Sequence, residues 1–175
     1  MLAASGCTTV VGSPPPILGS ARERSPTVPL GGEPAATAAP TVLPAVSLRD
    51  LDDHAVRLDA AAGGKAALVS FWATWCDACA EEFGALNRLA AQASRGGGVV
   101  IGVAVGEPRD KAADFARRRG LTYVQLVDEN LELADALGQK RLPATLVLDR
   151  QGRVVFSGAA LDEKALAAFR GAMAR

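Results

Sequence analysis

The stretch Phe71-Trp72-Ala73-Thr74-Trp75-Cys76-Asp77-Ala78-Cys79 decides how this chain is read. It begins as an apolar β run, passes two tryptophans, and sets two cysteines at C-x-x-C spacing onto the start of a helix. Two thiols so placed can close a small disulfide ring. The helix N-terminus directs unpaired N–H groups and the positive end of its dipole at the first sulfur. That field favours thiolate over thiol at Cys76, and thiolate is the form that attacks a disulfide. Cys79, one turn further in, is less exposed and is placed to resolve the mixed disulfide. These residues together propose a dithiol–disulfide exchange site.

The rest of the composition narrows the setting. With 175 residues, 49% of them hydrophobic, the chain can bury one good core but not comfortably two. The formal net charge of zero favours neither nucleic acid nor an acidic surface as partner. Three cysteines, a close pair and a remote Cys7, are too few for a disulfide scaffold. No run of 18 apolar residues is present to cross a membrane as a helix.

Upstream of the pair, residues 1–45 read as a tether. Leu2-Ala3-Ala4-Ser5-Gly6-Cys7 is similar to the end of a bacterial lipoprotein signal, with Cys7 as the residue that would carry lipid. Only six residues precede it, fewer than a basic region plus an apolar core require. Ser13 to Pro44 is rich in Pro, Ala, Gly, Ser and Thr, with Pro14-Pro15-Pro16 followed by five further prolines, and reads as a disordered, partly extended spacer. A spacer behind a lipidated cysteine and an ordinary floppy terminus with an incidental thiol both fit this composition.

From Val46 to Arg175 the pattern is that of one α/β domain. A short hairpin is expected over Val46–Leu48 and Ala55–Leu58, then a buried strand Ala66–Trp72 and a helix from the cysteines to about Ser94. Val99–Val105 is a second continuous apolar strand, as in a sheet covered on both faces. Pro108 opens a helix near its first position, with Ala112, Phe115 and Ala116 inward and Gly120 at its end. A strand Tyr123–Val127, a short helix Leu131–Leu137 and a hairpin Ala144–Leu148/Val154–Ser157 around Gly152 follow. Asp162 caps a last helix carrying Leu166, Phe169 and Met173. The expected architecture is a mixed central sheet flanked by helices in three layers.

Pro143 stands immediately before the strand Ala144–Leu148, where a central strand does not accept proline. A cis Leu142–Pro143 bond and an ordinary trans proline at a strand start both satisfy that constraint. Trp75-Cys76-x-x-Cys79 after an apolar strand, with Leu142-Pro143-Ala144-Thr145 later, resembles the thioredoxin superfamily. Within it the chain is most similar to the TlpA/ResA-like thiol–disulfide oxidoreductases of the bacterial cell envelope. That similarity runs through Val69–Cys76, Glu82-Phe83 and Leu148-Asp149-Arg150-Gln151-Gly152-Arg153-Val154-Val155. The resemblance implies a thioredoxin-like fold, a cis Pro143, Cys76 as nucleophile and Cys79 as resolving thiol. It implies no cofactor beyond the redox-active disulfide. It also implies an extracytoplasmic, periplasmic-side location, anchored as a lipoprotein through Cys7. The partners it implies are cysteine-containing envelope proteins and a membrane electron donor, and one substrate class is apocytochrome c during cytochrome c maturation.

Three positions depart from relatives. Ser70 stands where cytoplasmic-type thioredoxins carry a buried Asp that moves protons to the resolving thiol, and Gly84 stands where the family usually has a helix-kinking proline. Glu82 matches an acidic residue near the site in ResA-like members; it either takes over proton handling or is a solvated helix-face charge. Asp77 suits the helix dipole but opposes the adjacent thiolate, which makes the dithiol the better reductant. About 1.4 kcal/mol corresponds to ~30 mV in a two-electron couple, so one charge tunes the potential without deciding it. Trp75, Leu142 and Asp77 are the expected substrate contacts.

Other classes fare less well. Zinc wants four ligands, and two cysteines with a remote His54 do not supply them. A Thr-x-x-Cys peroxide pocket is excluded by the spacing of Thr74-Trp75-Cys76. A non-catalytic binding domain with a structural disulfide, or a disulfide donor in place of a reductant, remain the alternatives.

Overall fold

The computed structural model describes residues 42–175; Cys7 and the proposed tether as far as Thr41 lie outside them. In chain order the elements are β1 (Ser47–Asp50), β2 (Ala55–Arg57), α1 (Leu58–Ala62), β3 (Ala66–Trp72), α2 (Asp77–Ala93), β4 (Gly98–Val105), α3 (Arg109–Arg119), β5 (Val124–Asp128), α4 (Glu132–Ala136), β6 (Ala144–Leu148), β7 (Val154–Gly158) and α5 (Glu163–Met173). They build a seven-stranded sheet in the order β2-β1-β5-β4-β3-β6-β7. β3, β4 and β5 run parallel, and the flanking strands pair antiparallel.

All seven residues of β3 are buried. Alternate side chains feed two cores: Leu68 and Trp72 join α2, α3 and α5 on one face, while Ala67, Val69 and Phe71 join α1 and α4 on the other. This explains why β3 and β4 read as unbroken apolar runs rather than alternating ones. Among the described residues no helix is long and apolar enough to cross a membrane.

The thioredoxin-like, three-layer expectation holds, with local differences. Leu58 opens α1 instead of closing the hairpin strand, because its side chain is needed in the second core beside Ala62. Pro108 is the cap of α3 rather than its first residue, with extended ψ of 142°. Leu131 precedes α4 in the left-handed region at φ 63°, a conformation nothing in the sequence announces. Contacts with the domain begin before Val46: Val42 bridges Arg153, and Leu43 packs on the second core. α2 runs without interruption past Gly84.

Trp72 lies wholly buried where β3 ends. Its ring stacks on Phe115 at 5.5 Å and meets Phe83 edge-on at 5.6 Å, while Nε1 donates to Gln125 Oε1 at 3.1 Å. Aromatic pairs of this kind add about 0.5–1.5 kcal/mol beyond area burial. Gly102 makes the arrangement possible, since a Cβ there would collide with the Gln125 amide and stand 2.9 Å from Trp72 Nε1. Gly102→Ala is expected to cost about 1–3 kcal/mol through overpacking, read as a lower urea midpoint with an altered Trp72 emission. An unchanged midpoint would show that Trp72 and Gln125 can shift freely.

Candidate active site

Between the end of β3 and the start of α2 the chain has four residues, Ala73 to Cys76, in which to reverse direction. Cys76 is the N-cap of α2: its backbone is extended, at φ −92° and ψ 96°, and its Sγ accepts from the Cys79 N–H at 3.2 Å. The cap therefore satisfies one of the orphan donors of the first turn with the sulfur itself. Cys76 and Cys79 are joined as a disulfide. Cys76 is 8% exposed and Cys79 1%, so Cys76 is the more accessible sulfur-bearing residue. Asp77 is exposed in the first turn, and Trp75 is 66% exposed beside Cys76.

The second half of the site comes from β6. Ala144 pairs with Phe71 across the β3/β6 ladder, which sets Pro143 next to the strand end that carries the cysteines. The Leu142–Pro143 bond is cis, as the family resemblance implied. Leu142 packs against both cores.

Glu82 follows Cys79 by three positions, so the two lie on one face of α2, about 5–6 Å apart at Cβ. It is not a solvated surface charge. Its Oε1 accepts from the Leu161 N–H at 2.9 Å, and its Oε2 is buried without a hydrogen-bond partner. Burial pushes this carboxyl above its ordinary range, with the Leu161 bond acting the other way. Tyr123 is also buried with an unpartnered hydroxyl, and burial foremost, with the Glu82 carboxyl adding to it, raises its pKa. Ser70 lies beneath, buried, opposite Thr145 in the ladder, and the Thr145 hydroxyl is likewise unpartnered.

One functional residue escaped the sequence reading. Glu107, in the turn after β4, is only 3% exposed. It accepts from the Thr74 N–H at 2.9 Å and the Thr74 hydroxyl at 2.6 Å, and Lys111 Nζ stands 3.2 Å away. This carboxylate ties the turn before Cys76 to the neighbouring strand. In the sequence it is a single acid before Pro108, the sort of residue that opens helices, and nothing local distinguishes it.

His54 belongs to the exposed β1–β2 hairpin, where Nδ1 lies 3.0 Å from Asp50 Oδ2. With Asp52 these groups bring ligand atoms within 4.8 Å of one another, on a hairpin that contributes nothing to the cysteine site.

The chain is similar to known proteins. The AhpC/TSA family model matches residues 40–157. Thiol-disulfide oxidoreductase ResA of Geobacillus thermodenitrificans is 34% identical over 122 residues, 70% of each chain. Thiol:disulfide interchange protein DsbE of Yersinia pestis is 35% identical over 113 residues, 63% of this chain and 58% of that one. Among solved structures, a secreted thiol-disulfide isomerase of Corynebacterium glutamicum superimposes with a TM-score of 0.65 at 25% identity, covering 76% of this chain and 86% of its own.

Two outcomes are expected from the buried carboxylates. Glu107→Ala should lower stability by about 2–3 kcal/mol, since it leaves the Thr74 donors without a charged acceptor; chemical denaturation reads this. For Glu82 the raised folded-state pKa means that its favourable contribution is complete below its ordinary value near 4.5 and is lost as pH rises through the raised value. Glu82→Gln should therefore melt higher than the parent at pH 7–8, with the gap closing towards pH 4. A gap independent of pH would mean that the carboxyl is not desolvated.

Proposed function

The chain belongs to the AhpC/TSA family and is a thiol–disulfide oxidoreductase, and from that premise we propose that it reduces disulfides in partner proteins of the bacterial cell envelope. The observation that carries this reading is Cys76 as cap of α2, bonded to Cys79 and holding its sulfur against the first-turn N–H.

In the reduced form the Cys76 thiolate attacks one sulfur of a substrate disulfide. A Cys76–substrate bond forms, and the other substrate sulfur leaves as thiolate and takes up a proton. Cys79 then loses its proton and attacks Cys76 Sγ, which releases the second substrate thiol and leaves the Cys76–Cys79 disulfide. Two electrons pass to the substrate, and an external dithiol donor on the membrane restores the pair. Glu82, one helical turn from Cys79 and with one oxygen free of partners, is the group that receives the Cys79 proton. Its raised pKa suits that task better than an ordinary surface carboxylate would.

Direction follows from charge. Asp77 beside Cys76 and Glu82 beneath Cys79 both oppose a thiolate, and destabilising the reduced form makes the dithiol the stronger reductant. Trp75 and Asp77 flank Cys76 in the chain and Leu142 precedes the cis Pro143, and these are the surfaces that a substrate segment meets in this reading. Apocytochrome c is one fitting substrate class, because its haem-attachment thiols must be reduced before haem is joined. The relatives named for disulfide exchange support an extracytoplasmic location, and a lipid on Cys7 would hold the domain at the membrane.

Equilibration of the Cys76–Cys79 couple in glutathione or dithiothreitol buffers, followed by tryptophan emission, is expected to give a midpoint potential below that of glutathione. A value near the strong oxidants would reverse the direction and make the protein a disulfide donor. Cys79→Ser should accumulate a mixed disulfide with substrate through Cys76, whereas Cys76→Ser should accumulate none; trapping by both or neither would overturn the assigned roles.

A further inference from the structure

Among the described residues three buried side-chain atoms have no hydrogen-bond partner: Glu82 Oε2, the Tyr123 hydroxyl and Thr145 Oγ1. Folded proteins leave few such groups, and each asks for a role. The mechanism above uses the first. Tyr123 is 7% exposed, in the core that Cys79, Phe83 and Leu86 of α2 also line. Its backbone is held against that helix. Asn87 Oδ1 accepts from the N–H and the hydroxyl of Thr122, the preceding residue, at 2.9 and 3.0 Å, and Asn87 Nδ2 donates to the Gly120 carbonyl at 2.8 Å. Asn87 lies five residues beyond Glu82, about 7.5 Å along the helix axis, a span comparable with the length of a tyrosine side chain.

The proton of this hydroxyl is unspent. Gln125, two residues on, stands by it as a donor, and Gln125 Oε1 already accepts from Trp72 Nε1 at 3.1 Å. Burial foremost, opposed by the Gln125 donor and reinforced by the Glu82 charge, raises the Tyr123 phenol well above its ordinary pKa. That charge acts on the phenol because the two groups share one low-dielectric core. Tyr123 therefore stays a neutral O–H donor throughout the working range, in the same core as a carboxylate oxygen that has no donor of its own.

We propose that Tyr123 is a positioning residue for the exchange reaction: its hydroxyl donates to Glu82 Oε2 while that carboxylate is ionised, and so keeps Glu82 able to take the Cys79 proton. The inference rests on the proton role proposed above for Glu82 and adds the group that sustains it. As Cys79 Sγ attacks Cys76 Sγ, the Cys79 proton passes to Glu82, the Cys76–substrate bond breaks, and the substrate sulfur leaves with the electron pair. Glu82 accepts only in its ionised form, which burial penalises and the Leu161 N–H supports at one oxygen alone. A donor to the second oxygen, directly or across one water, supports the same form. Of the other titratable or charged groups on the surrounding elements, Asp77 and Glu81 share α2 and are exposed, as are Asp162, Glu163 and Lys164 at the start of α5. Arg119 of α3 lies over the Phe115 ring, and Lys65 lines a cleft that Tyr123 also borders. None of these is paired with Glu82, and β3 and β6 bring to this face only the uncharged hydroxyls of Ser70 and Thr145.

The test uses the full chain and Tyr123→Phe, which keeps the ring and removes one unpartnered oxygen. In the oxidised form, with glutamate carboxyl carbons labelled, NMR titration reads Glu82 directly, its signal assigned by its loss in Glu82→Gln. The Glu82 midpoint is expected about one pH unit higher in Tyr123→Phe, because only the ionised form loses a donor. An unchanged midpoint overturns the proposal, and so does a shift produced by Thr145→Val in place of Tyr123→Phe. In the reduced form, dithiobisnitrobenzoate releases one thionitrobenzoate as Cys76 attacks and a second as Cys79 closes the disulfide. Below both midpoints the second release is expected to be about tenfold slower in Tyr123→Phe, the ratio of ionised fractions for a one-unit shift. Above them it should match the parent, with the first release unchanged throughout. Equal slowing by Tyr123→Phe in a Glu82→Gln background overturns the link. If the second release in the parent does not depend on Glu82, the proton role of Glu82 has failed instead. The carboxyl titration then judges Tyr123 alone, a raised midpoint supporting it as the donor and an unchanged one overturning it.

Discussion

The structure depends on a tight turn from a wholly buried strand into a helix. β3 has no solvent face, and α2 has a first turn of unpaired N–H groups that must meet a partner. The chain solves both demands within Ala73–Cys76. The Cys76 sulfur takes the Cys79 N–H, while Glu107 takes the Thr74 N–H and hydroxyl. The reactive group is thus also a structural cap. Any change in sulfur chemistry is felt by the first turn of α2, and any loosening of Thr74 is felt by the sulfur.

An aromatic cluster packs between α2, α3 and the sheet. Trp72 comes from the strand, Phe83 from α2 and Phe115 from α3, and each ring touches the other two. Because Trp72 is hydrogen-bonded to Gln125 over the bare backbone of Gly102, the cluster has one seat and little freedom to slide. The cysteines are presented from a rigid base, which the attack geometry of disulfide exchange requires.

Two buried carboxylates show how environment divides one chemistry into two roles. Glu107 has three partners and holds the Thr74 turn. Glu82 has one partner and one bare oxygen, and burial lifts its pKa. A fully satisfied carboxylate is a strut; under the proposed mechanism the half-satisfied one exchanges a proton. Cys79 and Glu82 lie on the α2 side of the sheet, opposite the core that α1 and α4 cover.

Much of this was legible from residue order alone. The C-x-x-C at a strand-to-helix junction, the buried strands, the hairpin glycine at Gly152 and the Asp162 cap are all local, since the groups that satisfy one another lie within a few residues. Pro143 was legible as a constraint, with its cis form coming from family resemblance rather than from spacing. What residue order could not settle was burial. Glu82 read equally as a surface charge until Leu161, 79 positions away, closed over it. Glu107 carried no signal because its partner Thr74 is 33 positions distant. Leu131 gave no warning of its left-handed backbone, whose side chain comes to rest beside the distant Gly106. By itself, then, the sequence determined the exchange chemistry and the layered fold, because helix caps and apolar periodicity are short-range. The tertiary structure decided which charges are desolvated and which apolar groups remain exposed, because both depend on contacts between elements far apart in the chain.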